Sequence, residues 1–467
     1  MAPLLHREHL QRLKPVLRAY AFSYAFSTGP RLFGLLLQPI PNGLRIIVAG
    51  PTITTRIVRA ILQWLSSVIG QRLSISRAAS RVMVNLRFIC TFFSAWLAFD
   101  LLNRDREWSR KRARSRGIKD FEDMHYESPN KHHLPPPGYR PRFAGKTSDF
   151  TLFALVRALD VLVIKTWIRT RSSPHHPEYV ASRLSTLIKK LADPSVFATS
   201  AAIIMWAWFY SPERLPRAYN KWISTAANID PRLITALRRC REGEFIYGQE
   251  TGQAPLLTSL CDELGLPQKW GDPSQTIPIP CELYHCGAGP NCEVHALSRF
   301  LNGFKFSMAL YLPLQLLSKI RTPTLPAFRS AFTAAARSSS FLAAFISLFY
   351  YAVCLARTRL GPRLFSPKTI TPQMWDSGLC TLAGCLACGW SILLEKASRR
   401  QEIAFFVAPK ALSTLLPRVY EKRYQRREQV VFAVSVAVVL EAASNRGGEP
   451  VLIRGVLGKI LGRVLKQ

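Results

Sequence analysis

The sequence predicts an all-α, polytopic membrane protein with amphipathic interfacial helices and an extramembrane loop that carries Cys and His. Three observations lead there. Apolar residues gather into blocks, several near the roughly 17–20 residues that a helix needs to cross a bilayer core, although the overall hydrophobic content of 48% is ordinary. Arg and Lys gather between those blocks. Segment 212–298 breaks the pattern. It has no long apolar block and holds eight Lys/Arg against ten Asp/Glu, a net of −2 in a chain of formal charge +34.

An excess of 63 Lys/Arg over 29 Asp/Glu suits either nucleic acid or anionic lipid. The basic clusters 104–119 and 418–427 flank apolar blocks. No helix-turn-helix, zinc-finger or aromatic RNA-binding signature accompanies them. The expected partners are therefore membrane lipids, with self-association or other membrane proteins, and no nucleic acid.

Residues 1–81 form a basic N-terminal region with Glu8 as its one acidic residue. It reads either as amphipathic helix on a membrane surface or as a mitochondrial presequence. Residues 82–211 hold a first group of spans, 82–102, 150–168 and 195–210, around a basic, Pro-rich loop at 103–142. Span 150–168 contains Arg157 and Asp160, three apart and so on one helical face, where they can pair. With Lys410 they make up the intramembrane polar residues. The polar region 212–298 follows.

Residues 299–443 hold a second group of spans at 300–317, 340–356, 378–394, 403–416 and 430–443. The fourth is short and contains Pro409 and Lys410, which suits a re-entrant, kinked or interfacial helix. Span 378–394 is rich in small residues. Gly378, Ala383, Gly384 and Gly389 let helices approach closely, so this span is expected to be a packing seam. The tail, 444–467, places Ile453, Val456, Leu457, Ile460, Leu461 and Val464 at helical spacing among Arg454, Lys459 and Arg463. It reads as a basic amphipathic helix, lying on the membrane or packed on the protein's own helices.

The sharpest chemical constellation is Cys281, His285, Cys286, Cys292 and His295, with Gly287, Gly289 and Pro290 supplying turns. Zinc needs four such ligands in tetrahedral array. A disulfide in an oxidising compartment and simple packing in a tight loop both remain open. Cys354, Cys380, Cys385 and Cys388 fall in apolar blocks, where Cys is expected to act as a small hydrophobe. No P-loop, nucleophile elbow, H-E-x-x-H or dinucleotide fingerprint occurs, so no catalytic or cofactor-binding residue is expected and the chain reads as a non-enzyme.

Several blocks are similar to the fungal branch of the transmembrane protein 135 family. They are Asn228-Ile-Asp230-Pro-Arg232, Gly243-Glu-Phe-Ile-Tyr247-Gly248, and the Cys281/His285/Cys286/Cys292 segment running into Phe300-Leu-Asn-Gly-Phe-Lys305. Arg337-Ser338-Ser-Ser-Phe341, Trp375-Asp376-Ser-Gly378 and Gly389-Trp390-Ser-Ile-Leu-Leu-Glu395 continue the match in the same order. The resemblance implies a multi-span protein of peroxisomes or mitochondria, linked to lipid handling or organelle dynamics. It also implies a distant similarity to the mitochondrial inner-membrane translocase channel and peroxisomal membrane protein families. The translocase pattern is met only in part: Asp376 precedes Ala383-Gly384, but Pro372 stands where that pattern has Arg. A transporter or channel is the alternative reading.

The uncharged blocks 195–210 and 340–356 lead to a direct expectation. Full-length protein should stay in the membrane pellet during alkaline carbonate extraction. Recovery in the supernatant would contradict membrane integration.

Overall fold

The structure is a computed structural model that describes residues 88–103, 143–145, 147–171, 178–319, 324–417, 420–443 and 453–464. The N-terminal region 1–81 and nearly all of the loop 103–142 lie outside these residues. The described chain is almost entirely helical. Its one sheet is a two-stranded antiparallel bridge, β1 (Phe143–Ala144) with β2 (Tyr420–Glu421).

Contacts divide the chain into two units, and the division departs from the sequential groups of spans. One unit contains Glu178–Leu415. The other gathers described residues of Phe22–Pro177 and Leu416–Gln467. In this second unit, helix α1 (Phe88–Asn103) and helix α2 (Ser148–Arg171) pack with helices from the far end of the chain. Those are α13 (Gln425–Ala443) and α14 (Gly455–Val464). Ala95, Ala98 and Phe99 meet Phe432, Ala433 and Leu440, with Leu461 against them. Ala158, Val161, Val439 and Ile453 form an adjoining cluster. Leu461 and Ile453 thus place the tail against the protein's own helices.

Polar groups close the same unit. Thr147 and Thr151 both donate to Glu428 at 2.8 Å. Asp160 receives the guanidinium of Arg454, and Arg157 donates to the Arg454 carbonyl at 3.4 Å. Arg157 and Asp160 thus both engage the tail at Arg454, Asp160 through a largely buried ion pair and Arg157 through a backbone carbonyl.

The first unit begins with α3 (Glu178–Tyr210), one continuous helix with Pro194 inside it. It packs on α12 (Ala397–Leu415), which contains Pro409; Lys410 sits part-buried on α12. Helices α4 (Arg217–Ala227), α5 (Pro231–Glu242) and α6 (Ala254–Leu264) follow. They are short and punctuated by left-handed residues at Asn228, Gly243 and Gly265. Asp230 caps α5 by accepting from the Arg232 amide at 2.8 Å. Leu233, Ala236, Phe245, Leu257, Ile279 and Leu283 give this polar segment its own core.

A one-turn helix, α7 (Cys281–Tyr284), leads to α8 (Cys292–Leu317) and α9 (Leu325–Cys354), which pack along each other. A π-helical turn, Leu355–Arg359, prolongs α9. After the short α10 (Gly361–Leu364) comes α11 (Pro372–Leu394), which passes through π, α and 3-10 geometry in succession. Among the described residues, Leu325–Arg359 and Pro372–Leu394 are the two helices long and apolar enough to cross a membrane.

Small residues let α11 approach its neighbours. A Cβ built on Gly384 would lie 2.8 Å from Phe349 and Val353 of α9, and one on Gly389 only 2.4 Å from the Ala198 Cα of α3. Gly378 has φ +152 and lies under the Arg241 guanidinium, so it permits both the kink and the close approach. Ala383 is half-buried on the same helix.

Gly384→Leu is accordingly expected to force α9 and α11 apart, costing about 1–3 kcal/mol or more. Leu393→Val, at a position 43% exposed, should be mild. Thermal unfolding and size-exclusion profiles in detergent would compare them; equal behaviour of the two variants would remove the seam.

Candidate metal centre

The sequence builds the centre from a tight turn. Pro280 starts α7, which places Cys281 in its first position. His285 follows, and Cys286, Gly287 and Gly289 all adopt positive φ. The turn brings the Gly289 carbonyl to 2.7 Å from His285 Nδ1. That contact makes Nδ1 the donor and leaves the Nε2 lone pair free, the tautomer a metal requires. Asn291 then caps α8, accepting from the Glu293 amide at 2.9 Å, so Cys292 occupies the first position of a 26-residue helix.

The fourth group comes from far away in sequence. Cys354, the last residue of α9, places its Sγ 3.5 Å from His285 Nε2. The ligand atoms of Cys281, His285, Cys292 and Cys354 all lie within 4.8 Å of one another; three of the residues are buried and Cys281 is half-buried. Tetrahedral zinc with Zn–S near 2.3 Å needs sulfurs about 3.8 Å apart. The set would close by about 1 Å at most to meet that geometry. The arrangement can therefore hold a metal ion.

Of the five residues singled out in the sequence, the structure brings Cys281, His285 and Cys292 together. Cys286 turns away, its Sγ directed to the Tyr284 carbonyl at 3.8 Å. His295 stacks on His285, ring centroids 4.4 Å apart, but lies outside the four-ligand set. All ten cysteines are free thiols. Cys354 departs from the expectation for an apolar-block Cys, since its sulfur joins the ligand set. No spacing rule links it to Cys292; only the fold does.

Electrostatics favour the thiolate at Cys281 and oppose it at Cys292. Hydrogen bonding from Cys354, then the charges of Arg357 and His285, bring Cys281 down to about 6. Burial pushes the Cys292 thiol up. Burial, followed by His285 and Arg299, takes the His295 imidazole down to about 3, so it is neutral at physiological pH.

A second constellation lies beside the first. Asp376, fully buried at the start of α11, accepts from Arg357 Nη2 at 2.7 Å and from the Tyr247 hydroxyl. Arg357 also lies over the Tyr284 ring, 4.5 Å from its centroid. Gln373 donates to the Cys240 and Phe245 carbonyls at 3.2 and 2.8 Å and accepts from the Tyr247 amide at 3.0 Å. The polar segment is thus fastened to the end of α9 and to the beginning of α11. In sequence, Arg357 looked like one more basic residue after an apolar block, so the pair was missed.

Comparison with family models, with curated proteins and with solved structures finds no match.

The buried pair makes a sharp prediction. Asp376→Ala leaves the Arg357 charge buried and unmatched, a loss of about 3–5 kcal/mol. Replacing both, as Arg357→Met with Asp376→Leu, should recover much of the folded yield. Detergent size-exclusion yield and Tm of single and double variants would decide; no recovery would mean that Asp376 acts through other partners.

Proposed function

We propose that this chain is a non-catalytic, multi-pass helical membrane protein of an organelle, in which a structural zinc ion fastens a polar helical domain to a pair of membrane helices. The observation that carries the reading is the convergence of Cys281, His285 and Cys292 from the polar side with Cys354 from the end of α9, all within 4.8 Å. Three thiolates and one imidazole form a complete tetrahedral shell, and a closed shell is the mark of structural rather than catalytic zinc. The donor set favours zinc over magnesium or calcium, which take oxygen ligands.

Exposed apolar side chains support the membrane setting. Leu325 is 82% exposed, with Phe328 and Phe332 following it on α9 and Leu297 and Leu301 exposed on α8. So much apolar surface calls for lipid or a protein partner. The resemblance to the transmembrane protein 135 family points to peroxisomes or mitochondria, and to lipid handling or organelle dynamics as the process served. The transporter alternative needs polar groups along one path. Arg157 and Asp160 are instead taken up by Arg454, which favours the scaffold reading.

Purified full-length protein should carry about one zinc per chain, and Cys281→Ser should lose it. Tagged protein should coincide with peroxisomal or mitochondrial markers by microscopy. Metal-free protein with freely alkylated Cys281 and Cys292 would remove the zinc centre, and a plasma-membrane distribution would remove the organelle assignment.

A further inference from the structure

The ligand set is lopsided. Cys281, His285 and Cys292 come from one stretch of fifteen residues, 281–295, whereas Cys354 comes from the apolar helix α9. The same stretch holds a fourth group with a ligand atom, a second imidazole, that the set leaves unused. His295 stands three residues after Cys292 on α8, and that spacing puts the two side chains on one helical face.

His295 is 1% exposed. Its ring lies parallel to His285, with 16° between the planes, and edge-on to Tyr350 at 5.5 Å. Neither of its ring nitrogens has a hydrogen-bond partner, although both are buried. A buried imidazole with two unsatisfied nitrogens is uncommon and calls for an explanation, such as an ion or a water molecule. A small cavity of about 30 Å³ borders His295, Cys354, Tyr284 and Thr381. Both His295 and Cys354 border this space.

We propose, resting on the zinc reading above, that His295 is a reserve zinc ligand that replaces Cys354. In the fastened state the ion is held by Cys281, His285, Cys292 and Cys354. In the released state it is held by Cys281, His285, Cys292 and His295, all from the polar side. The exchange breaks the bond from Cys354 Sγ to zinc, swings the His295 ring out of its stack on His285 and forms a bond from a His295 nitrogen. The freed thiolate takes a proton from water, and no electrons move. Zinc with three thiolates carries a net charge of −1; with two it is neutral. Cys2His2 is itself a stable structural shell, so the polar domain keeps its metal and its fold when the Cys354 bond is broken.

The test uses full-length protein in detergent, loaded with zinc or with cobalt(II) as a spectroscopic probe. Wild type should hold about one metal per chain with a three-thiolate cobalt spectrum. Cys354→Ser, nearly isosteric, should keep about one metal per chain while the thiolate-to-cobalt absorption falls by about one-third, from three sulfurs to two. His295→Phe, which preserves the ring stack, should keep the wild-type spectrum. The double variant should lose metal as fully as Cys281→Ser. A second measurement leaves Cys354 in place: a chelator should strip zinc from His295→Phe several-fold faster than from wild type, because the partly opened site has no reserve ligand.

If Cys354→Ser loses as much metal as Cys281→Ser, or if His295→Phe and wild type release zinc at equal rates, the reserve role is overturned and His295 serves only the cavity. If wild type holds no metal at all, the zinc reading itself fails, an outcome distinct from either.

Discussion

Asp376 has no exposed surface, and a carboxylate withdrawn from water must be met by charge and by hydrogen-bond donors inside the protein. Arg357 and Tyr247 meet it, and each comes from a different part of the chain. Arg357 belongs to the π turn that prolongs α9, Tyr247 to the polar segment, and Asp376 to the start of α11. Satisfying one carboxylate therefore fixes three segments at one place. Cys354 lies three residues before Arg357, so the same constraint delivers its sulfur to His285 and Cys292. The candidate metal centre and the ion pair are two parts of one junction.

Close approach of helices is the second requirement. Helix α11 runs from that junction between α9 and α3, and its glycines decide how near it comes. At Gly384 a side chain would collide with Phe349 and Val353, and at Gly389 with the backbone of α3. Backbones this close gain dispersion contacts that do not depend on water, which is the form of packing that works equally well in lipid. The irregular geometry of α11 follows from the same demands. Gly378 breaks the helix where Arg241 crosses it, and Arg241 in turn rests on Trp206 and Tyr210 of α3.

Much of the helical layout was legible in the chain, for a plain reason. Apolar blocks such as 195–210 and 340–356 leave few alternatives to helix. The ends were harder to read. Hydropathy places a span at 300–317, but α8 begins at Cys292, because Asn291 caps it and the charged residues Glu293 and Arg299 do not interrupt backbone hydrogen bonding. Glu293 pairs with Arg359 and Arg299 donates to the Asn228 carbonyl at 2.8 Å. Both charges are thus used by the fold rather than marking a loop. The grouping of α2 with α13 was not legible, since the residues that join them, Thr147, Thr151 and Glu428, are separated by most of the chain.

The sequence by itself determined the helical class, the polar character of 212–298, and a set of five candidate ligands of which three join the cluster. Local spacing gathers those five around a turn with Gly287 and Gly289, but it does not separate Cys281, His285 and Cys292, which cluster, from the other two. It could not decide which fourth group completes the set. Cys286 and His295 were nearer in sequence, but Cys286 takes a left-handed conformation that carries its sulfur away, and His295 is held in the stack beside the set. Only the tertiary structure chose Cys354, because the end of α9 reaches the turn through the burial of Asp376 with Arg357, and a long-range ion pair leaves no periodic trace in the residues that make it.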